Sequence, residues 1–177
     1  MAVTELHHAS TVADANHVVQ SLGPYANEAA RLAATANVLG SAFSSADVGR
    51  VAQQTDTGAF WKLEGVSPTR WRLDSGPVPI HNQTGTTYTL AISDADAKVI
   101  LTNAGAIALT IPTNASVPFK PGDSVRIKQG GAGAVTVAGA GGVTVHAAGT
   151  LITGGQYSEL VLECEATDVW AVFGKST

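Results

Sequence analysis

Between residues 84 and 174 short apolar or alternating runs follow one another with no helical pattern between them. They read TYTLAI, KVILTN, AIALTI, SVRIKQ, AVTV, GVTVHA, TLIT, YSELVLECEA and VWAVF. Turn residues separate them: Ser93-Asp94, Asn103-Ala104-Gly105, Pro121-Gly122-Asp123, Gly130-Gly131, Gly139-Ala140-Gly141-Gly142 and Gly154-Gly155. Strand-like runs every ~8–12 residues with turn signals between them predict a sandwich or barrel. The lack of helical stretches argues against a parallel βαβ sheet. The expectation is an antiparallel, jelly-roll-like β-sandwich over residues 84–177. Within it, Val135-Thr136-Val137 and Val143-Thr144-Val145 form two like triplets. In a strand their valines face one side and the threonine the other. That pattern reads as a hairpin with a thin outer face of threonine and alanine, which lets another subunit approach closely. One such pair falls short of the three repeats a solenoid needs.

The preceding chain has a different character. Residues 1–23 form a polar, histidine-bearing arm in which Thr11 and Asp14 resemble a helix start. Val12, Ala15, Val18, Val19 and Leu22 supply its weak apolar face. Residues 24–76 read as a small module. Pro24 opens a second short helix over 25–36 (YANEAARLAATA), rich in alanine but too short to stand without a partner surface. Two or three short strands follow over 47–73, with Asp56-Thr57-Gly58 as the hairpin turn. Pro77 and Pro79 mark an extended linker at 77–83. The fold class is therefore mainly β: a small helical and β-hairpin N-terminal region followed by the sandwich.

Composition narrows the function. The 177 residues carry 10 Lys+Arg against 14 Asp+Glu, a formal charge of -4. Only 14% are charged, against roughly 25% in an ordinary soluble domain, while 45% are hydrophobic. That balance disfavours a disordered chain, which needs high charge and low hydrophobicity. It also argues against a nucleic-acid partner, which needs clustered lysine and arginine. So few charges over such a surface predict burial against other copies of the chain. No run approaches the ~20 apolar residues of a membrane span, so membrane insertion is not expected. The first residues lack the basic flank and apolar core of a secretory signal, which predicts synthesis in the cytoplasm. A single cysteine, Cys164, excludes an intrachain disulfide and a multi-cysteine zinc site, and its alternating surroundings predict burial.

No catalytic, cofactor-binding or metal-binding set emerges. His7, His8, His17, His81 and His146 lack the helical i, i+4 spacing of a zinc motif, and adjacent histidines in a strand point to opposite faces. Asp94 and Asp96 read as a solvated turn, and Glu163 and Glu165 as an outward polar face around Cys164. There is no Gly-x-Ser-x-Gly elbow and no P-loop. The glycines at 130–133 lie between strands, not before a helix. Aromatic residues are more informative, because they anchor cores and interfaces. Tyr25, Phe60, Trp61 and Trp71 are the candidate packing or interface aromatics, and Trp170 is assigned to the core. Trp61 and Trp71 are expected to pack on each other, on the helix at 25–36 or on a neighbouring subunit. Loops at 112–122, 129–133, 139–142 and 153–156 offer Asn114, Lys120 and Gln129 as candidate exposed contacts.

Tyr25-Ala26-Asn27, Ala29-Ala30-Arg31, Asp47-Val48-Gly49-Arg50-Val51, Asp56-Thr57-Gly58 and Phe60-Trp61-Lys62-Leu63 together resemble a segment found in tailed-bacteriophage structural proteins. It recurs in tail fibres, spikes and head fibres. The stretches YTLAISDADAKVILTNAGAIALTIP, FKPGDSVRIKQGGAGAVTVAGAGGVTV and ATDVWAVFG likewise resemble a phage virion β-domain. The resemblance covers most of residues 14–174. It implies a non-enzymatic virion component, commonly a homotrimer, docked on the capsid or tail by its N-terminal region with a β-rich head facing outward. The chain lacks a shaft repeat and a depolymerase region, which favours a short projecting knob over a long fibre. The expectation is a trimeric head decoration, head fibre or short spike of the virion. The alternative is a receptor- or carbohydrate-binding module of a tail fibre, with a host-surface glycan as partner.

Overall fold

A computed structural model describes residues 22–36 and 42–177. The predicted arm helix and His7, His8 and His17 lie outside these residues. The chain forms two compact units, divided between Gly76 and Pro77.

In the first unit, helix α1 (Glu28–Ala33) is shorter than the predicted 25–36. The Asn27 side chain caps it, accepting from the Ala30 amide at 3.0 Å. The residues before the cap are occupied otherwise, since the Tyr25 amide donates to the Gln53 carbonyl at 2.8 Å. Strands β1 (Val51–Gln53), β2 (Phe60–Val66) and β3 (Thr69–Ser75) form an antiparallel sheet in that order. The predicted turn joins β1 to β2, and Gly58 supplies its positive φ of 74°. Leu22, Ala52, Ala59, Trp61, Leu63 and Trp71 make the core. Leu22, assigned to the arm from sequence, is fully buried, and its amide bonds to the Val51 carbonyl at 2.8 Å. The end of the arm thus belongs to this unit.

The second unit holds β4 (Ile80–Gln83), β5 (Thr87–Thr89), β6 (Lys98–Leu101), β7 (Ile107–Ile111), β8 (Ser124–Gln129), β9 (Val135–Gly139), β10 (Thr144–Ala147), β11 (Glu159–Ala166) and β12 (Val169–Gly174). β4 occupies residues assigned to the linker, so strand structure begins soon after Pro77 and Pro79. The unit is mainly β, but not the antiparallel jelly roll expected. One sheet runs β10-β12-β11-β8-β6-β4 and the other β5-β7-β9. β4, β6 and β8 are parallel neighbours, as are β5, β7 and β9. Successive strands alternate between the sheets, giving three solenoid-like coils: β4 with β5, β6 with β7, and β8 with β9.

The absence of helices does not prevent parallel pairing here. Parallel neighbours need a connection long enough to carry the chain back to its start, and here a strand of the opposite sheet does this in place of a helix. Antiparallel pairing closes the stack after β8, through β11 and β12. On the other sheet, Ile152 bridges Thr136 of β9 in antiparallel fashion. The two Val-Thr-Val triplets are therefore not a hairpin. The first lies in β9 and the second leads into β10, which pairs in parallel with β12 in the other sheet.

The core lies between these sheets and follows the strand period. Val99 and Leu101, Ile107, Leu109 and Ile111, Val125 and Ile127, Val135 and Val137, and Leu160 and Leu162 all point inward. Trp170 joins them, edge-on to Phe119 at 5.0 Å, and Cys164 is buried nearby as expected. Glycine permits the tight stacking of coil corners. A Cβ on Gly133 would overlap the Gly105 carbonyl of the corner below, and the Gly133 amide donates to Asn103 at 3.1 Å.

Candidate interaction surfaces

The alternation that turns Tyr88 of β5, Leu109 of β7 and Val137 of β9 toward the core sends small side chains outward. Register places Thr87 beside Ala108 and Thr136, and Thr89 beside Thr110 and Ala138. All but the half-buried Thr110 are exposed. The result is an uncharged face two rows deep; of the two triplets from which a thin outer face was expected, only Thr136 belongs to it, because Thr144 lies in the other sheet.

The outer face of the six-stranded sheet differs. One row carries Ile80, Lys98, Arg126, Val161 and Phe173 across β4, β6, β8, β11 and β12. The next carries Asn82, Ile100, Lys128 and Glu159. Ile80 and Phe173 are 59% and 53% exposed. Lys98 Nζ donates to Glu159 Oε1 at 2.8 Å, and Lys128 Nζ lies 4.0 Å from the same oxygen. The Lys98 hydrogen bond holds the Glu159 carboxyl below its ordinary range, opposed by partial burial and reinforced by the charges of Lys98, Lys128 and Arg126. Just before β11, Tyr157 is 68% exposed with φ 68°, and its ring centroid lies 6.0 Å from Lys128 Nζ.

The predicted site residues separate clearly. Trp61 is buried beneath the Arg31 guanidinium, which stacks 3.5 Å from its ring centroid. Arg31 Nε donates to Gln54 Oε1 at 3.2 Å, and burial lowers the Arg31 pKa to about 10 despite nearby Glu28. Trp71 is buried between Tyr25 and Phe43, edge-on to each at 5.7 and 5.8 Å. These are packing aromatics, whereas Phe60 is 40% exposed.

Of the loop contacts, only Lys120 is exposed. Asn114 is an internal brace, donating from Nδ2 to the Phe119 carbonyl and from its amide to Asp168. Gln129 is not an exposed contact. Strand parity turns it inward, where Oε1 accepts from Thr153 and Nε2 donates to the Gly131 and Ala132 carbonyls.

Asp94 also departs from expectation. It is fully buried, and its carboxylate meets His81 Nδ1 at 2.7 Å, the Tyr88 hydroxyl at 2.8 Å and the Ala91 amide at 2.8 Å. A side chain with three partners ties β4, β5 and the Ile92–Asp94 turn together. This is a clasp in the first coil, not a solvated loop. No protein-family model matches this chain, and no curated protein matches it. Among the described residues no cluster of three or more His, Cys, Asp or Glu could hold a metal, and no helix is long and apolar enough to cross a membrane.

Sequence reasoning missed Tyr157 and the lysine pair. Period-2 counting from Leu160 and Leu162 was available and turns Glu159 outward, whereas Tyr157 lies in the turn before β11, where that period does not apply. The lysines beside Glu159 follow only from the antiparallel β8–β11 register and the parallel β6–β8 register.

Proposed function

We propose that this chain is a non-enzymatic structural protein of a tailed-bacteriophage virion surface, a homotrimeric head decoration, head fibre or short spike. Its N-terminal region would dock on the capsid or tail and its second unit would project. The observation that carries the reading is the flat Thr87, Ala108, Thr136, Thr89, Thr110 and Ala138 face. It bears no charge and no long side chain, so another copy can approach it closely at little desolvation cost. The virion assignment rests on the sequence resemblance. Localisation follows from it: assembly in host cytoplasm, then residence in the particle. No cofactor, nucleic acid or membrane insertion enters the proposal.

Light scattering of the purified protein tests self-association. Trimer mass is the expected result, with Ala108→Glu shifting the population to monomer. A lone 18.0 kDa species at micromolar concentration refutes the trimer. Immunogold labelling of particles with antibody against the second unit tests location. Label on the capsid supports the decoration or head-fibre reading, label at the tail tip supports the receptor-binding alternative, and unlabelled particles refute both.

A further inference from the structure

The outer face of the six-stranded sheet is chemically unlike the Thr/Ala face. On a chain of net charge -4, Lys98, Arg126 and Lys128 gather on two adjacent strands around one carboxylate, Glu159. Arg126 is exposed and forms no ion pair within 4.0 Å among the described residues. Two positive charges in excess attract an anion and leave Arg126 available for a forked contact to carboxylate or phosphate oxygens.

An aromatic ring stands beside this charge. Tyr157 lies in the turn just before β11, where it and Ser158 both bond to Gln129 in a bulge, and its ring is placed on the Lys128 side by the 6.0 Å approach of Lys128 Nζ to its centroid. Its backbone adopts the left-handed conformation, an outlier for a bulky residue. The loop is nonetheless well fixed. The Tyr157 amide donates to the Gln129 carbonyl at 2.7 Å, Gln156 Nε2 to Gly130 at 3.1 Å, and Ser158 Oγ to Gly155 at 2.6 Å. The chain holds a mostly solvent-exposed ring in a strained conformation, anchored on both sides, within reach of a lysine.

We infer that Tyr157, Lys128, Lys98 and Arg126 form a binding site for an acidic saccharide, a sugar ring bearing a carboxylate or phosphate. The ring C–H face packs on Tyr157, because an exposed aromatic offers an apolar platform of matching size. The anionic group meets Lys128 and Arg126, while Glu159 keeps Lys98 and Lys128 extended and accepts from sugar hydroxyls. This site depends neither on trimer formation nor on the position of the protein on a particle.

The test is calorimetric titration of the full chain with sialyllactose, a glucuronate oligosaccharide, a mannose-6-phosphate oligosaccharide and neutral lactose. The first two carry carboxylate and the third phosphate, so the arms separate the two anion sources. At least one acidic sugar binds, lactose binds about tenfold more weakly or not at all, and affinity falls as salt rises. Tyr157→Ala and Lys128→Gln each weaken binding about fivefold or more, while amide spectra show the fold unchanged. Failure of every acidic sugar at millimolar concentration overturns the proposal. So does equal binding of lactose, or binding that survives both substitutions.

Discussion

Replacing Tyr157 by glycine should stabilise the second unit, although Tyr157 is no glycine position by sequence. The φ of 68° places an L-residue where its Cβ crowds the backbone, at a cost of roughly 1–2 kcal/mol. Glycine removes that cost but gains freedom in the unfolded chain, worth about 0.5–1 kcal/mol. Loss of the ring contributes little, because the residue is largely exposed and Lys128 Nζ stands 6.0 Å from the ring centroid. The cleanest comparison is with Tyr157→Ala, which also lacks the ring but keeps the strained backbone. The difference between the two variants should be about 1 kcal/mol in favour of glycine, or roughly 4 °C in Tm for a unit of this size. Native-state hydrogen exchange at the buried amides of Ile127 and Leu162 reads the second unit without interference from the first. If Tyr157→Gly is no more stable than Tyr157→Ala, the conformation is not strained and the argument that the ring is held out at a cost collapses.

Asp94→Ala should destabilise the same unit by about 2–3 kcal/mol, because it strips partners from His81, Tyr88 and Ala91 at once; chemical denaturation measures this, and a change near zero removes the clasp. Glu159 titrates below its ordinary value of 4.5, so its contribution is fully present above that pH and lost as pH falls through the lower folded value. Acid-unfolding curves of the wild type and Glu159→Gln should therefore diverge above pH 4.5 and converge below the folded pKa; parallel curves throughout contradict the coupling to Lys98. Gly133→Ala should be among the most damaging single-methyl changes, since the added carbon meets the Gly105 carbonyl rather than a movable side chain. A variant with unchanged thermal unfolding means the corners have room to part.

The strands of the second unit could be read from the sequence because burial in a half-covered sheet imposes a period of two. Val135, Val137, Leu109 and Ile127 obey it individually. Their pairing was not legible. A run such as SVRIKQ looks the same whether its neighbour is parallel or antiparallel, and the Gly105 and Gly133 corners look like ordinary turns until they stack. Asp94 and Gln129 were misplaced for a related reason. Polar residues near turns are usually solvated, and only the partners brought by other strands make their burial affordable. In the first unit, Trp61 and Trp71 were recognised as packing candidates, but the guanidinium of Arg31 covering one of them needed the folded helix. The candidate surfaces lay between these cases, with side-chain direction readable and the companions across the sheet hidden.

The alternation of strands between two sheets has a consequence for how such a molecule can change its size. Each coil touches only the coil before and after it, and the antiparallel strands terminate one end alone. A further turn of chain inserted between β6/β7 and β8/β9 would find parallel neighbours above and below. It would need only inward apolar residues and small corners, and would lift the closed end by about 4.8 Å. Every row on both outer faces would gain one side chain while the Asp94 clasp at the start and the β11–β12 pair at the finish stayed as they are. Height in this architecture is a quantity adjustable in steps, separable from what caps the stack and from the residues displayed beside the cap.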